Sequence, residues 1–111
     1  MTRRLELWLF ILQRGSAMVL APLVLAHLVT IVIAIRGGLS ADEILSRTQG
    51  SVGWMLFYGM FVLAAAIHAP IGVRTVVREM TAWRGRSLDV AALLFGVVLL
   101  WLGFHAVGAV T

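Results

Sequence analysis

The sequence predicts an all-α integral membrane fold with three transmembrane helices, and three observations carry that prediction. The composition is 61% hydrophobic and 13% charged over 111 residues, with a mean hydropathy of +1.01, far from the balance of a soluble domain. Three apolar runs are each long enough to cross about 30 Å of hydrocarbon at roughly 20 residues apiece. The basic residues, all of them arginine, gather beside some polar segments and not others, which is the asymmetry that orients membrane helices. Residues 1–111 read as a single membrane domain.

The first span covers residues 17–35. It continues a longer helix from near Leu5, because "LELWLFILQRGSAM" has no breaker before Gly15 and carries Trp8 and Phe10 as interfacial anchors. That opening is too long and lacks the small-residue site of a cleaved signal peptide, so it is expected to be retained. "RGGLSADEILSRTQGS" follows as a polar loop. Within it, Ser40 ahead of Asp42 and Glu43 is a capping signal for a short surface helix. The second span covers residues 52–73, "RTVVREMTAWRGRS" is the second loop, and the third span covers residues 88–110.

Charge sets the expected orientation. Arg3, Arg4 and Arg14 outnumber Glu6 at the N-terminal flank, and Arg74, Arg78, Arg84 and Arg86 outnumber Glu79 and Asp89 around the second loop. Arg36 and Arg47 are balanced by Asp42 and Glu43 in the first loop, and the C-terminal tail is uncharged. The N-terminus and second loop are therefore expected in the cytoplasm of a bacterial-type inner membrane, with the C-terminus outside. The pI of about 11.5 is an orientation signal with some contribution from anionic lipid contact. No nucleic-acid motif accompanies it, so nucleic acid is not an expected partner. The absence of cysteine excludes disulfides and thiolate metal sites within the chain and leaves histidine as the metal ligand to consider.

Polar groups within the spans are few: His27 and Thr30, Tyr58 and His68, and His105. Ionisable residues at membrane depth are costly and face a partner, a cavity or a cofactor, although an interhelical hydrogen bond is the plainer alternative. At 1.5 Å per residue, His68 lies roughly 9 Å from Arg74, whereas His27 lies about 20 Å beyond Arg14 and His105 about 24 Å beyond Asp89. His68 is thus near the cytoplasmic side and the other two are distal. A metal site that combines His68 with either of the others is therefore poor geometry, and a second ligand for His68 is expected from elsewhere.

Ala64 and Gly72 share the helical face of His68. Such small residues either leave room for a flat group or allow a neighbouring helix to approach. On the first helix, Ser16, Leu20, Leu23, His27 and Thr30 form one stripe, which is either a lining or a helix–helix seam.

"HAPIGVRTVVRE", with His68, Gly72, Arg74 and Glu79, resembles the "H-x-x-x-G-[IV]-R-H-x-x-x-D" segment of the cytochrome b membrane-anchor subunit of succinate dehydrogenase and the related fumarate reductases, the complex II family. "LQRGSAM" is similar to that subunit's first-helix "H-R-x-S-G" motif. The likeness covers both motifs, their separation and the three-span layout, hence nearly the whole chain. Gln13, Ala17, Thr75 and Glu79 depart from the pattern, where members often carry histidine, glycine, histidine and aspartate.

The resemblance implies an anchor that holds a flavoprotein subunit and an iron–sulfur subunit on the membrane, pairs with a second membrane-anchor subunit in a helical bundle, and helps to form the quinone site that takes electrons from succinate. It implies haem b with His68 as an axial ligand, Arg74 at a propionate, Arg14 at quinone or propionate, and Ser16 as a hydroxyl donor to quinone. "QRGSAMVLAPLVLAH" also resembles the first helix of two-haem members, which would make His27 a ligand of a second, outer haem. With no nucleophile, base constellation or nucleotide motif, the chain is expected to be part of an oxidoreductase and no catalyst alone. Two other classes compete: a haem-free structural anchor, in which the histidines bond helices together, and a small transporter subunit, for which the sequence offers no inverted repeat.

Overall fold

The computed structural model describes residues 3–111. Four helices follow in order: α1 Arg3–Arg36, α2 Ala41–Thr48, α3 Val52–Met80 and α4 Arg86–Val110. No strand occurs among the described residues. Three of the helices, α1, α3 and α4, are long and apolar enough to cross a membrane. The chain is 48 Å in its longest dimension, enough for the hydrocarbon core with both interfacial layers.

The long helices run past the apolar stretches because arginine and glutamate continue them into the interface without a breaker. α1 also passes through Pro22 unbroken; only the one N–H that proline lacks is missing from its ladder. Its end is set by Gly37 and Gly38, where the Leu39 N–H reaches back to the Ala34 carbonyl at 3.0 Å. α2 forms where the capping signal lies: the Ser40 hydroxyl accepts from the Glu43 N–H at 3.1 Å, and Glu43 pairs with Arg47 one turn on. Ser51 caps α3 in the same way by accepting from the Trp54 N–H at 3.2 Å.

α3 is the central helix and packs along both α1 and α4. Its α4 side presents Val62, Ala66 and Pro70, four residues apart and so on one face. Gly96 and Gly103 of α4 lie against them: a Cβ at Gly96 would come within 3.0 Å of the Pro70 ring and 3.2 Å of the Ala66 carbonyl, and one at Gly103 within 2.4 Å of Val62. Pro70 cannot donate to that Ala66 carbonyl, and glycine lets the neighbouring backbone close over it. Few side chains are enclosed. Among the described apolar residues, Ala34, Ala64, Pro70, Leu88 and Val107 are buried, while large apolar side chains are exposed along all three long helices. A bilayer solvates such a surface, so close backbone approach takes over from hydrophobic burial as the source of packing.

Candidate functional site

The stripe on α1 is the seam against α3. Along it Ser16 and His27 meet side chains of α3, whereas the Thr30 hydroxyl donates to the His27 carbonyl of its own helix at 2.7 Å.

At the first level Arg74 joins the three long helices. It is 5% exposed. Its Nη2 donates to Glu6 Oε1 of α1 at 2.8 Å and its Nε to Asp89 Oδ1 of α4 at 2.7 Å, while Arg78 Nη1 adds a bond to Glu6 at 3.1 Å. A guanidinium suits this position because its planar fork serves two carboxylates from different directions. Glu6 and Asp89 are the partners of Arg74, which a count of flanking charges treats only as subtractions from the positive total. Their shared depth with Arg74 was the signal that could have found them.

One turn further in, Gln13 lies against Gly72, where a Cβ would stand 3.3 Å from the Gln13 Nε2. Gln13 Oε1 is buried without a hydrogen-bond partner. Next comes His68. Ser16, 7% exposed, places its Oγ 3.3 Å from His68 Nδ1 and also 3.1 Å from the Gln13 carbonyl. No hydrogen-bond partner is found for His68 Nε2 among the described residues. Ala64, one turn beyond, is buried. On the His68 face, then, Gly72 is where α1 approaches α3 through Gln13.

His27 belongs to a different level. Its ring meets Phe61 at 5.3 Å and Tyr58 at 5.9 Å, both edge-on, which puts it seven to ten residues along α3 from His68, about 10–15 Å. It borders a cavity of about 310 Å³ that Ile44 and Thr48 of α2 also line. His105 is exposed and stacks on Trp101, with ring centroids 5.7 Å apart. Arg14 is on the face of α1 away from the seam, exposed, with its guanidinium 5.8 Å from the Phe10 ring. The fold therefore brings Ser16 to His68 and Arg74 to Glu6 and Asp89. It brings neither Arg14 nor His27 to His68.

A b-type haem needs an imidazole at each axial position in the bis-histidine case. His68 fits one half of such a site: Nδ1 is held, Nε2 is unpaired, and no second histidine lies at its level. Among the described residues, no group of three or more histidine, cysteine or acidic side chains could hold a metal ion unaided.

Comparison with curated proteins and with solved structures returns no match. A family model, described as the succinate dehydrogenase/fumarate reductase transmembrane subunit, matches residues 1–109. That span includes α1, α3, all but the last residue of α4, the α1–α3 seam and the Arg74 cluster, and on it the chain belongs to the family of succinate dehydrogenase/fumarate reductase transmembrane subunits.

Proposed function

We propose that this chain is a haem b-binding membrane anchor of a succinate:quinone oxidoreductase. The observation that carries the reading is His68: one imidazole at its depth, held through Nδ1 by Ser16, with Nε2 unpaired. Half a ligand set in one chain calls for a second anchor subunit that supplies the other half. The flavoprotein and iron–sulfur subunits dock at the N-terminal, arginine-rich side, which we place in the cytoplasm. Bound at His68, haem supplies a one-electron redox centre within the membrane.

The chain's own residues divide the remaining tasks. His68 holds the iron. Arg14, exposed on the outward face of α1, offers a fork of donors to a quinone carbonyl or a propionate at the interface with the partner subunits. Arg74, already engaged by Glu6 and Asp89, holds the three helices in register at the propionate end. His27, edge-on to two aromatic rings, packs the outer half of the seam, so we assign one haem to this chain.

Optical spectroscopy of the purified complex tests this. A b-type band is expected on reduction, at one haem per copy of this chain, and His68→Ala is expected to abolish it. Haem retained at normal occupancy in that variant would refute the assignment of His68. A native complex that shows no b-type band on reduction would leave the structural-anchor reading in its place.

A further inference from the structure

We infer that Ser16 sets the tautomer of His68, so that Nδ1 carries the proton and Nε2 presents its lone pair away from the seam. A serine hydroxyl has one hydrogen and accepts through its oxygen; a neutral imidazole has one N–H and one bare nitrogen. Two arrangements satisfy the distances around Ser16 Oγ, 3.1 Å to the Gln13 carbonyl and 3.3 Å to His68 Nδ1. If the hydroxyl donates to Nδ1, the imidazole proton is on Nε2, for which no described residue provides an acceptor, and only one hydrogen bond forms. If the hydroxyl donates to the Gln13 carbonyl, its oxygen is free to accept from Nδ1–H, and two bonds form in series. The second arrangement gains a bond and leaves no N–H unmet.

The surroundings strengthen the preference. Ser16 is enclosed in the seam, so water does not compete for its hydroxyl, and an unmet N–H at hydrocarbon depth is costly. Serine bonding to a carbonyl in the preceding turn of its own helix is a common local arrangement. The relay from Nδ1–H through Oγ to the carbonyl polarises the ring and strengthens Nε2 as an electron-pair donor to a metal, as outer hydrogen bonds do for ligating histidines. Ser16 is thus a positioning residue that acts through His68. The part concerning iron rests on the haem reading above, whereas the tautomer does not.

Nitrogen NMR of the full chain, labelled with ¹⁵N-histidine and reconstituted in phospholipid bilayers, tests the tautomer without haem. The His68 signals are identified by their loss in His68→Gln. Protonated Nδ1 and bare Nε2 are expected in the native chain and in Ser16→Thr, which keeps the hydroxyl; Ser16→Ala is expected to shift His68 toward the Nε2–H form. A native His68 protonated on Nε2, or a Ser16→Ala spectrum unchanged from native, would overturn the inference. In the assembled complex, Ser16→Ala is expected to keep the b-type band and raise its midpoint potential, with Ser16→Thr restoring it. An unchanged potential in Ser16→Ala would refute transmission to the iron. A Ser16-dependent tautomer in a complex without haem would sustain the inference and sink the haem reading.

Discussion

His68 and Arg74 are six residues apart on one helix, yet they meet opposite demands. His68 is half-buried with one nitrogen left free, whereas Arg74 is buried with its Nε and Nη2 both engaged. Arg14 is different again, because it is exposed and free to meet another chain. A hydrogen bond to a charged group contributes about 1.5–3 kcal/mol. Arg14→Ala is therefore expected to lower succinate-driven quinone reduction by about ten- to a hundredfold. Electron transfer from succinate to a soluble dye, which bypasses the membrane site, should be retained. Equal loss of both activities would assign Arg14 to assembly. The resemblance was sufficient to single out His68, Arg14 and Ser16, because the motif residues stand in order along the chain. Which neighbour each one meets was not legible: Ser16 and His68 are 52 positions apart, and only the rotation of α1 against α3 pairs them.

At the scale of helices, two glycines seven residues apart decide how α4 packs. The space that a Cβ at Gly103 would need is occupied by Val62, whose β-branched side chain has little rotamer freedom in a helix. Gly103→Leu is expected to force α4 away from α3 at a cost of about 1–3 kcal/mol, the usual range for overpacking. Thermal unfolding of the detergent-solubilised protein should report a lowered Tm. Gly108 has open space around its Cβ position, and Gly108→Ala is the matched control expected to leave Tm near its native value. The lengths and ends of the helices were readable from apolar runs and from Ser40 and its acidic followers. Gly96 and Gly103 looked like ordinary glycines of a membrane helix, because a close approach exists only once the partner helix is present.

Across the whole molecule, the Glu6–Arg74–Asp89 cluster fastens three helices at one end, while the opposite end has contacts such as the Gly50 N–H bond to the Thr111 carbonyl at 3.2 Å. Arg74→Met is expected to lower Tm more than Glu6→Gln, because the first leaves two carboxylates facing each other without their shared counter-charge. Glu6 is 40% exposed, so losing its charge should cost no more than about 1 kcal/mol and fade with added salt. Comparing the two variants at low and high ionic strength checks both expectations. Orientation is testable at the same scale, since the chain has no cysteine of its own. Ser46→Cys in α2 should react with an impermeant thiol reagent added outside intact cells, and Ser87→Cys only after the membrane is opened.

Composition and apolar run length by themselves determined that this is a three-span helical membrane protein, since a bilayer accepts few other solutions for such a chain. Motif order determined its family and the histidine to watch. Tertiary structure decided the rest: that the polar stripe of α1 is a seam, that Gly72 beside His68 admits Gln13 of α1, and that Arg74 is a clasp between carboxylates from either end of the chain. The physical reason is that hydrophobicity is a property of each residue and survives being read one at a time. A hydrogen bond or a close backbone approach belongs to two residues at once, and it exists only when the helices have taken their rotation and depth against one another.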